Sequence, residues 1–264
     1  MLLECSNLSK SYGDVKALDG TSFSLAEGLS LILGPNGSGK TTFLKILSGV
    51  VEPDRGEILI KGVDYKRYPT YRVGFSFEKT LMSPRVRIRE YLEAIADYRG
   101  KDNVDEIIEM FGLEGYQGAM FKELSQGYKR RFLVATAFAG DPDVVFLDEP
   151  FSNLDIVSKV ELSKTFQEIK RKVSIVIVSH IISGLRKLDS IVLLHNGRVI
   201  LNKIGGDAGT IGGFRALFSD GTVVENNVNE LVNLIRMGKE PTRIEPVTPE
   251  DIMYGKLTQT EDKG

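Results

Sequence analysis

L-S-L-I-L-G-P-N-G-S-G-K-T-T-F-L-K-I-L-S-G, Leu29 to Gly49, joins an apolar run, a glycine-rich turn and a helical pattern closed by a glycine. An unbroken apolar run suits a strand buried on both faces, and a glycine after a periodic segment suits a helix end. Between them, Gly34 to Thr41 fits the pattern G-x-x-x-x-G-K-[ST]. Its glycines let backbone N–H groups close around phosphate oxygens, Lys40 neutralises charge on the β- and γ-phosphates, and the Thr41 hydroxyl reaches Mg²⁺. A bare glycine turn before a helix is the structural alternative. The strand before and the helix after favour the phosphate site, so Asn36, Gly37, Ser38, Gly39, Lys40, Thr41 and Thr42 are the nucleotide-binding candidates, with ATP and Mg²⁺ as the expected ligands.

Working outward, V-V-F-L-D-E-P, Val144 to Pro150, supplies the acidic half of such a site. Asp148 ends an apolar strand and can hold Mg²⁺, while Glu149 beside it is placed to polarise an attacking water. Acidic residues also end strands as helix caps, but the upstream phosphate loop favours the chemical role. Further apolar runs, Ser174 to Ser179 and Ser190 to His195, alternate with helical patterns and predict an α/β fold. Between Thr80 and Ala139 charged amphipathic helices dominate, which predicts a helical insertion. After about Ile204, Gly205, Gly206, Gly209, Gly212 and Gly213 mark a joint before a mixed tail. In that tail the segments Ile211 to Val224 and Asn229 to Met237 predict a small strand pair and an amphipathic helix.

Leu124 to Arg131, L-S-Q-G-Y-K-R-R, opens a helix about twenty residues before the D-E-P. In that place it resembles the L-S-G-G-Q signature of ATP-binding cassette (ABC) proteins, and the resemblance extends over most of Met1 to Ile204. It implies a P-loop NTPase core with an antiparallel β subdomain and a helical subdomain at about 80–140, followed by a small C-terminal α+β extension, 205–264. It implies that Ser125, Gln126 and Gly127 act on the ATP held by an opposite subunit. Tyr12 matches the aromatic that stacks on adenine, Asp155 in S-N-L-D matches the loop crossing the dimer interface, and His180 matches the switch histidine at the γ-phosphate. Read alone, Tyr12 is more ordinarily a packing residue and His180 a strand-end surface residue.

The chain departs from the family pattern at four places. Glu78 stands where a Gln is usual; a carboxylate can still ligate Mg²⁺, but it adds negative charge beside the phosphates. Gln126 replaces the first Gly of the signature and Tyr128 its final Gln. Phe151 stands where a small or polar residue is more usual.

The 264 residues carry a net charge of -2, which offers no general attraction to nucleic acid, so no nucleic-acid partner is expected. One Cys and two separated His residues exclude an internal disulfide framework and a structural zinc site. No apolar run reaches bilayer length and no secretory signal pattern opens the chain, so it is expected in the cytoplasm. The family resemblance implies an ATPase subunit of a transporter, peripheral on the inner face of the cell membrane through a permease on a separate chain, and paired with a second ATPase subunit as a homo- or heterodimer. Lys79 to Leu92 resembles the segment that forms the groove for the permease, and Pro246 to Thr258 resembles the end of export-type ATPases. The alternative is a soluble cassette ATPase acting as an assembly factor, for example in iron–sulfur cluster assembly.

Overall fold

The computed structural model describes residues 1–180, 185, 188–205, 214–225, 239 and 241–246. Three strands, β1 (Leu3–Tyr12), β2 (Val15–Leu25) and β3 (Leu29–Leu33), lead to helix α1 (Lys40–Leu47). Strands β4 (Arg55–Ile60), β5 (Val63–Asp64) and β6 (Val73–Ser76) precede helices α2 (Ile88–Arg99), α3 (Val104–Met110) and α4 (Gln126–Phe138). Then come β7 (Val144–Asp148), α5 (Ile156–Ile169), β8 (Ser174–Ser179), β9 (Ser190–His195) and β10 (Arg198–Ile204). The last strands are β11 (Phe214–Phe218), β12 (Val223–Glu225) and β13 (Pro241–Pro246).

A six-stranded sheet in the order β10-β9-β3-β8-β7-β6 forms the centre; its strands are parallel except β10, which returns antiparallel along β9. The apolar runs that predict its strands serve two cores at once, because successive side chains of a strand point to opposite faces. Leu31, Leu33, Leu147, Ile175 and Ile177 join the helices α2 to α5 on one face. Ile32, Phe146, Val176, Val178 and Val192 join α1 and a second sheet on the other. That second sheet is antiparallel, in the order β2-β1-β4-β5.

A half-buried cation helps to tie the helical insertion to the sheet. Arg99, in the last turn of α2, donates from Nη1 to the carbonyls of Ala137 and Ala139 at the end of α4 and from Nη2 to Val73 O at the start of β6 (3.0 Å). A positive charge there also suits the negative end of α4. The helices themselves start on the residues that stereochemistry favours: Ser125 Oγ accepts from Tyr128 N ahead of α4, and Asp155 Oδ1 accepts from Ser158 N ahead of α5.

Beyond β10 the structure differs from the expected strand pair. β11 pairs with β12 as anticipated, but β13 adds a third strand on the other side of β11. Pro241 and Pro246 bound it, and proline hides a strand from sequence reading while being tolerable on a sheet edge. The expected helix over 229–237 and all of 247–264, which includes the export-type segment after Pro246, lie outside the described residues. Among the described residues no helix is long and apolar enough to cross a membrane.

Candidate functional site

β3 delivers the chain into the glycine turn, and α1 leaves it with its first N–H groups pointing back. The turn closes this tightly only with glycine at two places. A Cβ on Gly34 would collide with Leu194 O, and Gly39, the N-cap of α1, has φ 104° with Ala17 O where a Cβ would lie. Gly39 provides no side-chain cap, so the first N–H groups of α1 remain available to an anion. The buried Lys40 ammonium is held by Gly34 O (2.6 Å), Pro35 O (2.9 Å) and Ser38 Oγ (3.4 Å). Burial lowers its pKa, and the nearby carboxylates of Glu149 and Asp148 act in the opposite sense.

A cleft of about 260 Å³ opens over this turn, lined by Tyr12, Asn36 to Thr42, Glu78, Asp148 and Glu149. Tyr12, at the end of β1, is nearly half exposed and has the Lys10 ammonium 5.8 Å from its ring centre. Asp148 ends β7 almost fully buried, and burial followed by the charge of Glu149 pushes its carboxyl up to about 6; the Glu78 backbone N–H donates to it and pulls the other way. Glu149 adopts φ 49°, a left-handed conformation unusual for a side-chain-bearing residue. Its backbone N–H donates to Val178 O (2.8 Å), which fixes the turn against β8. The carboxylate then accepts from Ser179 Oγ (2.7 Å) and from the His180 backbone N–H (2.7 Å), and meets His180 Nδ1 at 2.7 Å. A strained backbone that aims a carboxylate at three partners is typical of a working site.

The chain therefore brings together the phosphate-loop candidates, Tyr12, Glu78, Asp148 and Glu149, with His180 bonded to Glu149. It does not bring Ser125, Gln126, Gly127 or Asp155 to that cleft. Ser125 and Gln126 are exposed at the start of α4. The departures find local partners. Phe151 is buried with its ring edge-on to Phe166 at 5.8 Å, and Tyr128 lies 4.2 Å from the ring of Tyr116 with the Arg131 guanidinium over its face.

Four contributors escaped the sequence reading. Val15 and Ala17 of β2 line the cleft beside the turn, in a segment without a motif. Asn196-Gly197 is a recognisable tight-turn pair, and its Gly197 N–H donates to Ser38 O (3.1 Å), buttressing the phosphate loop from the β9–β10 connection. Arg130, inside the basic run after the signature, reaches Phe77 O and Asp148 O.

A family model described as ABC transporter matches residues 18–152. Over 203 residues the chain is 36% identical to the sulfate/thiosulfate import ATP-binding protein CysA of Mycobacterium bovis, an alignment that covers 72% of this chain but only 58% of that protein. It is 33% identical over 200 residues to the aliphatic sulfonates import ATP-binding protein SsuB of Bacillus cereus, covering 74% of this chain and 77% of the relative. A solved ATP-binding subunit of an ABC transporter superposes with a TM-score of 0.69 at 29% identity, over 78% of this chain and 91% of that structure. The relatives whose names state a direction here are importers, so they lend no support to the export-type likeness of the tail. With the phosphate loop, the D-E-P strand end and the signature helix in the family's order on the family's fold, the chain belongs to the ABC transporter family as an ATP-binding cassette.

Proposed function

We propose that the chain hydrolyses ATP as the engine of a transporter, with ATP in the cleft over the Gly34 to Thr41 turn and a permease on a separate chain. The observation that carries this reading is the placement of Glu149: a carboxylate at the cleft wall, locked by Ser179 and His180, beside a buried lysine and a helix N-terminus.

The residues present fit a nucleotide with its metal. The open first turn of α1 and Lys40 offer donors and positive charge to phosphate oxygens, and Tyr12 offers a ring face to a base. The Thr41 hydroxyl and the Asp148 carboxylate, with Glu78 on the same wall, form an oxygen donor set of the kind Mg²⁺ takes. When bound, Mg²⁺ supplies neutralisation of charge on the β- and γ-phosphate oxygens. The chain's own part is then positional and electrostatic: Lys40 offsets phosphate charge, Glu149 orients a water and accepts its proton, and His180 holds Glu149 in place.

Ser125, Gln126 and Gly127 stand at a helix start outside the lining of the cleft, which fits a role toward the nucleotide of a second ATP-binding subunit, with Asp155 in the loop between the two. Residues 1–204 then form the ATPase unit and 205–264 an extension, none of whose described residues lines the cleft. Leu81, fully exposed just before α2, supports the Lys79 to Leu92 segment as the permease contact, which would hold the chain at the inner face of a membrane. Lys40→Ala removes the buried charge next to the phosphates. Titration of the folded variant with ATP and Mg²⁺ should show binding weakened at least about tenfold, since hydrogen bonds to charged groups contribute about 1.5–3 kcal/mol. Affinity equal to wild type would remove the cleft from the reading.

A further inference from the structure

Arg130 is buried, 4% exposed, on the helix that the signature opens. Its Nη1 donates to Phe77 O at 3.0 Å and its Nη2 to Asp148 O, while its Nε has no hydrogen-bond partner. Both acceptors are backbone carbonyls beside carboxylates of the cleft: Phe77 precedes Glu78, and Asp148 precedes Glu149. No carboxylate forms a salt bridge with Arg130 among the described residues, yet Asp148, Glu78 and Glu149, in that order, all act on its charge and oppose the effect of burial. Lys40 is the other buried cation facing Asp148 and Glu149. Three carboxylates therefore stand against two cations, and Glu78 is the carboxylate that the family pattern does not call for.

We propose that Arg130 is a positioning residue for the metal side of the ATP site: its two-pronged grip on the Phe77 and Asp148 carbonyls sets the spacing of the Glu78 loop and the β7 end, and its charge offsets the added carboxylate of Glu78. The inference rests on the ATP-site reading above and assigns a role within it. A flat guanidinium suits the task, because its fixed fork can hold two carbonyls at once while carrying a permanent charge. The Arg130 charge is desolvated and acts strongly on the likewise buried Asp148, whereas Glu78 is exposed and feels it through water. Because α4 opens at Ser125, Arg130 also forms a side-chain bridge from the signature helix to the Phe77 and Asp148 carbonyls beside its own cleft.

The test is a double-mutant cycle of Arg130→Met and Glu78→Gln, read by equilibrium binding of ATP with Mg²⁺ and with EDTA, alongside thermal melting. Wild type must bind ATP with its dependence on Lys40; if it does not, the ATP-site reading fails and not this inference alone. Given that binding, Arg130→Met should weaken ATP affinity by about tenfold, the scale of losing hydrogen bonds made by a charged group. The loss should be larger in EDTA, where no metal cation offsets the carboxylates. Glu78→Gln added to Arg130→Met should recover most of the affinity, which loss of a merely structural contact would not allow. Equal affinities for Arg130→Met and wild type, or the same loss with and without Glu78→Gln, would overturn the proposal. If Arg130→Met does not fold, Arg130→Gln, which keeps a donor for one carbonyl, replaces it with the same expected and overturning results.

Discussion

The helix starting at Lys40 and the helix starting at Gln126 both begin beside a glycine, but only the first is enclosed by its own chain. At α1 the N-cap is Gly39, without a side-chain cap, and the turn is packed from behind by Gly197 and faced by Asp148 and Glu149. At α4 the N-cap is Ser125, whose hydroxyl accepts from Tyr128 N, and the helix start does not line the cleft. The first start is open inside a built pocket; the second is capped and faces outward. That difference is the physical content of the proposed two-subunit site: one chain holds the phosphates, and another chain's α4 closes over them.

The largest effect expected on the enclosed side is chemical. Glu149→Gln keeps the side-chain volume and removes the proton acceptor, so hydrolysis should fall by about 10²- to 10⁴-fold while ATP still binds, measured as phosphate release and nucleotide titration on the same sample. A variant that turns over normally would mean that the locked carboxylate is structural.

Next in size is a stability effect confined to the cleft. The Asp148 carboxyl is raised to about 6, so its protonated form is favoured by folding, and stability is lost as the pH rises from the ordinary carboxylate range through about 6. Near pH 7.5, without metal or nucleotide, Asp148→Asn should therefore stabilise the fold by about 1–3 kcal/mol. The gain should shrink as the pH falls toward 4, where the wild-type carboxyl is protonated as well. Thermal melts in EDTA across that range check it, and a gain independent of pH would contradict the buried-charge account. No comparable store of unfavourable charge is expected at the start of α4.

The smallest effect belongs to the outward-facing helix start. Ser125→Ala removes an N-cap and should cost about 1 kcal/mol of stability at most, because the site is exposed to water that can replace the cap. A much larger loss in chemical denaturation would show that Ser125 is a structural keystone of its own chain.

The sequence was most legible where structure is local. The phosphate turn, the apolar strands of the central sheet and the helix start at Ser125 are each set by residues within a few positions of one another. The antiparallel sheet was legible only through the family resemblance, because the register of β1 shifts between Cys5 and Leu8 and again before Lys10, which breaks the alternation that marks a strand. Glu149 was nameable as a water-orienting residue, but its left-handed backbone and the grip of Ser179 depend on β8, thirty residues away along the chain. Arg130 looked like one basic residue among three, and only its burial under Phe77 and Asp148 separates it from Lys129 and Arg131. Phe151 looked anomalous until Phe166 gave it a packing partner.

Complementation between two inactive variants tests the two-subunit site most directly. In a dimer of identical chains, Lys40→Ala disables one half of the site and Ser125→Arg the other, so each variant alone has no intact composite site. A mixed dimer has one, assembled from the Ser125→Arg chain's phosphate loop and the Lys40→Ala chain's signature. With random pairing at equal amounts, hydrolysis should return to about a quarter of the wild-type rate per chain, as two-fold symmetry requires. Full activity of Ser125→Arg on its own, or no recovery from variants shown to associate, would contradict the claim that one chain's signature helix completes another chain's ATP site.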